Sequence, residues 1–260
     1  MIKTIYWNLP SQIFVYAFNF RRFYLQSKIR ISKENSKIFK IVDSDCNFSW
    51  YCHRDRLTYY SHGLMFRANN IADAYGLKDL EFFDQDIIVD CGANMGDLQL
   101  YFHLIKIQIN YIAFEPSKLE YSCLNKNLLF PGKIYEVALS DSNSEIDFFV
   151  DTAGANSSTI EPPFFTDIAR VKSARLDSII RDESIALFKV DAEGAEPEVL
   201  HGTTKILNQI NYICVDAGPE RGVLQETTLE DVRSFCEENQ FNEIGNKSSY
   251  RIVFKNKSYV

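Results

Sequence analysis

Three stretches of the sequence place acids and glycines directly after a short apolar run. They are "DIIVDCGANMG" (86–96), "NYIAFEPS" (110–117) and "LFKVDAEGAEPE" (187–198). Apolar runs that do not alternate with polar residues are typical of strands buried on both faces of a parallel sheet. Such a sheet binds its ligand beyond the carboxyl ends of its strands, where these acids and glycines stand. The three stretches therefore predict parts of one site.

The first stretch is a glycine turn with the spacing G-x-x-x-G. Gly92 and Gly96 allow the backbone to approach a ligand closely and to adopt dihedral angles that side chains disfavour. The turn lacks the G-x-G-x-x-G spacing of a dinucleotide site, and no G-K-[ST] follows to make a P-loop. Asp90 precedes the turn, where a carboxylate would repel a pyrophosphate but would suit a cationic amino-acid group.

The second stretch ends its apolar run in Glu115, about twenty residues past the turn, where an acid can bind both hydroxyls of a ribose. A glycine turn with an acid before it and a second acid after the next strand fits S-adenosylmethionine. Asp90 and Asn94 would lie near the methionine moiety, and Glu115 would hold the ribose. The alternative is a plain strand-to-helix turn with a solvated glutamate.

The third stretch ends a buried strand at Asp191 and then begins a helix. Glu196 and Pro197 are residue types that favour a first helical turn, so Glu196 has a structural explanation. We predict Asp191 as the group that accepts or orients an acceptor's proton, with Glu193 second. Asp191, Glu193 and Asp216 could instead hold a divalent cation. Close carboxylates at a helix start need no metal, and none is predicted.

The elements that must position these residues alternate along the chain from Asp86 onward. Strand-like runs occur at 86–90, 110–116, 133–139, 145–150, 185–191, 211–216 and 250–256, with helical stretches at 95–105, 117–129, 173–182, 196–208 and 228–239. This predicts an α/β, doubly wound, mostly parallel sheet of the Rossmann-like methyltransferase type. The run "FNEIGNKSSYRIVFKN" predicts a C-terminal antiparallel hairpin. We expect an extension of helix and short strands at 1–60 and the main domain at 61–260.

Composition limits the partners of the chain. The 260 residues are 46% hydrophobic and carry a net charge of −7, which disfavours nucleic acid as a partner. Residues 1–30 hold five basic residues and no acid, so they carry +5 and the remainder carries −12. The same segment predicts a helix with an apolar stripe of Ile13, Tyr16, Ala17, Phe20, Phe23 and Tyr24.

The favoured interpretation of this helix is packing on the main domain or on a second subunit. The alternative is docking on an anionic membrane surface. Its apolar run is too short to span a bilayer and lacks the features of a signal peptide. None of the six cysteines form C-x-x-C, and we interpret them as reduced core thiols. We therefore expect a cytoplasmic protein, either free or peripheral to the inner face of a membrane.

The connection "DTAGANSSTIEPPFF" at 151–165 is polar and then aromatic. Its length predicts either a lid over an acceptor or a surface loop without a role. As a lid, its Asn156, Ser157 and Ser158 would hydrogen-bond hydroxyls, and Phe164 and Phe165 would cover them.

The motifs "VDCGANMGD", "AFEPS", "LNKNLLF", "VALSD", "RLDSII" and "FKVDAEGAEPEVLHG", taken in order over about residues 84–218, resemble the FkbM family of methyltransferases. The resemblance implies S-adenosylmethionine as methyl donor and transfer to a hydroxyl oxygen, most often of a sugar in a glycan or glycoconjugate. Lys189, Asp191, Glu193 and Glu196 match the second signature of the family. After the fifth strand the family more often has Glu, where this chain has Asp216.

Carried over by motif, the expected cofactor site consists of Asp90, Gly92, Ala93, Asn94, Gly96, Glu115, Pro116, Ser117, Ala138 and Asp191. Two other functions stay open at this point. An NAD-dependent oxidoreductase would be expected to show G-x-G-x-x-G, which is missing. A non-catalytic subunit that keeps the fold would not need acids at three strand ends.

Overall fold

The computed structural model describes residues 9–151, 156–246 and 250–259. Its strands are β1 (Ile29–Lys33), β2 (Ile38–Asp43), β3 (Phe48–His53), β4 (Ile87–Cys91), β5 (Asn110–Phe114), β6 (Gly132–Tyr135), β7 (Ala138–Leu139), β8 (Ser144–Val150), β9 (Asp167–Ala174), β10 (Ile185–Val190), β11 (Ile210–Asp216), β12 (Pro219–Arg221), β13 (Glu226–Thr227), β14 (Phe241–Asn246) and β15 (Arg251–Asn256). Its α-helices are α1 (Ser11–Tyr24), α2 (Leu64–Ala74), α3 (Leu98–Ile105), α4 (Lys118–Asn127), α5 (Leu176–Ile179), α6 (Glu196–His201) and α7 (Leu229–Glu238). Short 3-10 helices cover Arg54–Tyr60, Leu77–Asp79 and Leu207–Gln209.

Seven strands form the central sheet in the order β14-β15-β11-β10-β4-β5-β6. The run from β11 to β6 is parallel, and β15 pairs antiparallel with both β11 and β14. Every residue of β10 is buried, as its apolar pattern, interrupted only by Lys189, predicts for a central strand. The order reverses between β10 and β4, so the ends of these two strands and of β5 flank the crevice where a doubly wound sheet binds ligands. The predicted Rossmann-like methyltransferase fold and its C-terminal hairpin are confirmed.

A second sheet, β7-β9-β8, lies at the side of the main one. Here the predicted helix at 173–182 is wrong at its start. Residues 167–174 instead form β9, which pairs with all seven residues of β8, and only Leu176–Ile179 is helical. Over residues 168–172 of β9, partly exposed residues alternate with exposed ones, which is the period of a half-exposed strand and not of a helix.

The N-terminal residues form their own small sheet, β1-β2-β3, and β1 is an element that the sequence did not predict. This sheet and α1 share a core with α3 and α4. Phe14, Phe39 and Trp50 are fully buried beside Met95 and Leu100. The extension is therefore packed directly on the helices that follow the glycine turn and Glu115.

Helix α1 is present where it was predicted, but the predicted stripe does not pack on the main domain. Phe14 and Phe18 point into the core, whereas the predicted stripe points outward, apart from the partly buried Ala17. Apolar residues occur almost all around this helix, so the period alone did not decide which side would be buried. Among the described residues, no helix is long and apolar enough to span a membrane. All six cysteines carry free thiols, five of them buried.

Candidate active site

A cavity of about 440 Å³ opens at the carboxyl ends of β4, β5 and β10. Both predicted catalytic acids, Asp191 and Glu193, line it. So do nine of the ten predicted cofactor residues, namely Asp90, Gly92, Ala93, Asn94, Glu115, Pro116, Ser117, Ala138 and Asp191. Gly96 is the exception. The three sequence stretches thus meet at one cavity.

The two glycines of the turn are required mainly by packing within the protein. Gly92 has φ +67°, and a Cβ there would lie 1.9 Å from the carbonyl oxygen of Asp191. Gly96 has φ +86°, and a Cβ would lie 2.6 Å from Nε2 of Gln99 and 2.8 Å from Leu124. Packing within the protein is thus enough to require both glycines, and the expectation that they also make room for a ligand stays a prediction. Gly92 makes room for the end of β10, and Gly96 makes room for α3 and α4.

Glu115 is fixed at the floor of the cavity by two backbone amides. Its Oε2 accepts a hydrogen bond from Asn94 N (2.7 Å), and its Oε1 accepts one from Ser117 N (2.8 Å). Each carboxylate oxygen keeps a further lone pair for a ligand. Burial, with Glu120 nearby, raises the pKa of Glu115 to about 8, while the two amides oppose the increase. A ligand that donates hydrogen bonds here would meet a pre-positioned acceptor.

A buried lysine joins the ends of β4 and β10. Lys189 Nζ lies 3.1 Å from Oδ1 of Asp90 and 3.4 Å from Oδ2 of Asp191, and it donates to the carbonyl of Gly92 at 2.8 Å. Burial disfavours the ammonium, but the two carboxylates outweigh it and raise the Lys189 pKa. Asp90 also accepts from the Tyr111 hydroxyl. Because the charge of Asp90 is matched inside the protein, its predicted contact with a ligand's ammonium group stays a prediction.

Glu196 holds the turn that carries Glu193. Its Oε1 accepts hydrogen bonds from Ala192 N and Gly194 N, each at 3.0 Å, and its Oε2 accepts one from Thr228 Oγ1 at 2.8 Å. These contacts support the structural explanation of Glu196. They show that it binds backbone and side-chain groups of the turn in addition to any interaction with the helix dipole. Glu193 lies between these two amides in the chain. Its backbone is left-handed, with φ +52°, which is unusual for a residue with a side chain.

Glu193 differs from Asp191 in its partners. Asp191 Oδ2 accepts a 2.6 Å hydrogen bond from the Tyr75 hydroxyl and lies 3.4 Å from Lys189 Nζ, so this oxygen already has partners. Glu193 Oε2 is buried without a hydrogen-bond partner among the described residues. Burial and the repulsion of Asp191 and Glu220 raise the Glu193 pKa well above its usual range. Of the two predicted acids, only Glu193 therefore has a buried carboxylate oxygen without a partner among the described residues.

Several cavity residues come from the N-terminal part of the chain and were not predicted. They are Arg56 and Tyr59 of a 3-10 helix, Arg67, Asn70 and Ile71 of α2, and Tyr75. Arg67 is committed to Asp97, with contacts of 2.7 and 2.6 Å. Arg56 is only 2% exposed, its Nε has no hydrogen-bond partner among the described residues, and its nearest carboxylate, Glu120, is 3.9 Å away. No motif surrounds these residues in the sequence.

The connection at 151–165 contributes Ser157 and Thr159 to the cavity wall, and Phe148 of β8 lines the cavity as well. Ser158 is buried and pairs with the backbone of Phe149, while Phe164 is exposed and Phe165 packs on the ring of Phe149. Residues 152–155 lie outside the described residues. The lid hypothesis thus has two polar residues of the cavity wall in its favour, Ser157 and Thr159, and its phenylalanines do not line the cavity.

The acids that could have held a metal are arranged differently from a cation site. Asp216 accepts a 2.6 Å hydrogen bond from Arg251 Nε and is not part of the cavity wall. Within residues 9–151, 156–246 and 250–259, no three His, Cys, Asp or Glu side chains are grouped so that they could hold a metal ion.

Two curated relatives are similar to this chain at low identity. The hexuronic acid methyltransferase AglP of Haloferax volcanii is 27% identical over 158 residues, which cover 56% of this chain and 64% of that protein. The 2-O-methyltransferase NoeI of Sinorhizobium fredii is 27% identical over 148 residues, covering 49% and 61%. In both cases the matched part is less than two thirds of the relative. Among solved structures, methyltransferase FkbM from Methylobacillus flagellatus KT aligns with a TM-score of 0.47 and 16% identity, covering 67% of this chain and 44% of that chain.

The methyltransferase FkbM domain matches residues 90–243. This range is more than half of the chain, and it contains the glycine turn, Glu115, Lys189, Asp191, Glu193 and Glu196. It also contains the strand ends that form most of the cavity. The protein therefore belongs to the FkbM family of methyltransferases.

Proposed function

We propose that the protein is an S-adenosylmethionine-dependent O-methyltransferase that acts on a hydroxyl group of a sugar in a glycan or glycoconjugate. The observation that carries the proposal is the meeting of Glu115, Asn94 and the acids Asp191 and Glu193 at one cavity, in a member of this family. The cavity offers acceptors for a ribose at one end and candidate bases at the other.

The cavity residues fit the cofactor. Glu115 has two oxygens held by backbone amides and is suited to the ribose hydroxyls. Asn94 Oδ1 is buried without a hydrogen-bond partner among the described residues and is suited to an ammonium group. Arg56 has an unsatisfied Nε and would hold a carboxylate. The cofactor's methionine moiety carries both of these charged groups, and buried groups of this kind are costly unless a ligand pairs them.

When bound, the cofactor supplies a methyl group on a cationic sulfur. The chain's own residues would then align an acceptor hydroxyl and remove its proton. Alignment is worth more than the base in reactions of this type. Tyr75 fixes Asp191 toward the cavity, and Glu193 accepts the proton when it is ionised. Polar groups of Asn70, Ser157 and Thr159 in the cavity wall are suited to the hydroxyls of a sugar.

Calorimetry with S-adenosylhomocysteine tests the cofactor assignment. We expect binding to the wild-type protein and a loss of about 1.5–3 kcal/mol in the Glu115→Ala variant, the usual range for hydrogen bonds to a charged group. Glu145→Ala, on the exposed edge of β8, is the matched control and should bind normally. A thermal-shift comparison with NAD distinguishes an oxidoreductase, since only a ligand of the native state raises its stability. Unchanged affinity in a folded Glu115→Ala variant contradicts the assignment.

The acceptor is tested with methyl-labelled S-adenosylmethionine and a panel of neutral, amino and uronic-acid oligosaccharides. We expect label on a hydroxyl oxygen, which alkaline hydrolysis distinguishes from a methyl ester. A protein that binds S-adenosylhomocysteine but labels none of the panel would be consistent with a non-sugar acceptor or with the non-catalytic subunit.

A further inference from the structure

The outward side of α1 is an aromatic surface that gathers several exposed large apolar side chains on one helix. We define the outward arc as Ile13, Tyr16, Phe20, Phe23 and Tyr24, which are 55%, 77%, 60%, 69% and 81% exposed. Successive helical residues rotate by about 100°, so these five residues occupy about a third of the helix circumference. Leu25, which follows the helix, is also 60% exposed.

The helix is held firmly in this orientation. Phe14 and Phe18 are buried on the opposite side. Asn19 hydrogen-bonds both backbone groups of Ile31, at 2.7 and 2.8 Å, and Arg22 Nη1 donates to Ser61 O at 2.9 Å. The arc therefore cannot turn inward by rotating the helix without breaking these contacts and exposing two phenylalanines.

Basic residues flank the arc. Arg21 on α1 and Lys28 just beyond it are both exposed, and the first 30 residues contain no acid. The rest of the chain is strongly acidic, with a charge of −12 against the net −7. An anionic surface would thus attract the protein at this segment and repel it elsewhere, which sets the orientation of approach.

We propose that the outward arc of α1 docks the protein on an anionic lipid surface. Phenylalanine and tyrosine rings suit the boundary between headgroups and acyl chains, and flanking arginine and lysine pair with anionic headgroups. A second copy of the chain fits this surface less well. Docking two arcs together would bring two segments without acids, each carrying Arg21 and Lys28, against one another.

The test is flotation of the full-length protein with vesicles of phosphatidylcholine alone or mixed with phosphatidylserine. We expect binding only to the mixed vesicles, weakened by salt. The double variant Phe20→Ser/Phe23→Ser should lose at least about tenfold in partition coefficient, since it removes apolar area that enters the bilayer. Arg21→Glu/Lys28→Glu should lose at least about 25-fold, because each basic residue near an anionic surface contributes about a factor of five.

Leu224→Ser is the matched control, since Leu224 is also 81% exposed but lies near the opposite end of the chain. It should bind vesicles like the wild-type protein. All variants should keep normal circular dichroism and bind S-adenosylhomocysteine normally, because neither surface lines the cavity. Equal binding to neutral vesicles, no binding to either kind, or self-association that is abolished by Phe20→Ser/Phe23→Ser would overturn the proposal. The last outcome would assign the arc to a second copy.

Discussion

Tyr75 and Asp191 are 116 residues apart in sequence and are joined by a 2.6 Å hydrogen bond from the tyrosine hydroxyl to Oδ2 of the carboxylate. The bond links the end of α2 to the end of β10, and both residues line the cavity. Burial and the charge of Asp191 raise the pKa of Tyr75 well above its usual range, so the hydroxyl stays a donor. The N-terminal half thus fixes the orientation of an acid that belongs to the family signature.

Tyr75→Phe should reduce turnover about tenfold while leaving S-adenosylhomocysteine affinity within a factor of about two. Removing the hydroxyl frees the Asp191 carboxylate, which is partly exposed and can take a water molecule instead, so the loss of stability should be about 0.5–1.5 kcal/mol. Chemical denaturation and single-turnover methyl transfer measure the two effects. Tyr59→Phe, in the same cavity wall, is the control. An equal loss of turnover in both variants would show that the bond to Asp191 has no special role.

Gly92→Ala should be strongly destabilising, because its Cβ would overlap the carbonyl oxygen of Asp191 at 1.9 Å and its backbone has φ +67°. Gly222→Ala separates the two causes. Gly222 has nearly the same backbone, with φ +69°, but its nearest atom would be 4.0 Å away. We expect about 1–2 kcal/mol for Gly222→Ala from the left-handed backbone alone and clearly more for Gly92→Ala. If urea denaturation shows the same loss of unfolding free energy in both variants, the end of β10 can move away from the new Cβ without an energetic cost.

The strand-end acids could be predicted from sequence because each motif is continuous. Asp90, Glu115 and Asp191 each follow an apolar run directly, and a parallel sheet necessarily gathers such ends at one edge. Arg56, Tyr59 and Tyr75 could not be predicted in the same way. They reach the cavity because a 3-10 helix and α2 pack on α3, and that packing depends on contacts between distant residues such as Trp50, Met95 and Leu100.

The buried side of α1 could not be predicted from the helical spacing of its apolar residues either. Phe14 and Phe18 compete with the outward arc for the buried side, and both sets have helical spacing. The choice was decided by the packing of Phe14 on Phe39 and by the Asn19–Ile31 hydrogen bonds, which are tertiary features. The boundary expected at residue 60 stays a prediction, because the N-terminal elements share one core with α3 and α4.

Arg56→Gln should weaken binding of S-adenosylhomocysteine but not of its analogue without the carboxylate. In the wild-type protein, the Arg56 guanidinium, whose Nε has no hydrogen-bond partner among the described residues, would pair with that carboxylate, and a charged hydrogen bond is worth about 1.5–3 kcal/mol. Calorimetry with both ligands on both proteins gives a double-mutant cycle, so a general disturbance of the buried site cancels. If the variant loses the same affinity for both ligands, Arg56 supports the cavity without contacting the carboxylate.

The stability of the ligand-free protein should fall as the pH rises from about 4.5 to 8. Burial raises the pKa of Glu196 to about 7 and those of Glu115 and Glu220 to about 8. A carboxyl whose pKa is raised in the folded state favours folding below its unfolded pKa, and that contribution is lost as the pH rises to the folded value. Thermal unfolding from pH 5 to 8 measures the slope, and Glu115→Gln should make it shallower. A melting temperature that rises from pH 5 to 8 would contradict carboxyl pKa values that are higher in the folded than in the unfolded state.

Glu193 rather than Asp191 should accept the acceptor's proton. Asp191 Oδ2 already accepts a hydrogen bond from Tyr75 and lies 3.4 Å from Lys189 Nζ, whereas Glu193 Oε2 has no such partner among the described residues and its pKa is raised. Because only the ionised form can take a proton, wild-type turnover should increase with pH through the raised pKa of Glu193 and then level off.

Glu193→Gln should lower turnover by at least about 10²-fold and remove this pH dependence. Asp191→Asn should lower turnover less and keep the rising limb, with S-adenosylhomocysteine affinity nearly unchanged in both. Single-turnover transfer with an acceptor identified in the oligosaccharide screen measures these profiles. A rising limb that survives in Glu193→Gln but disappears in Asp191→Asn would return the role of base to Asp191.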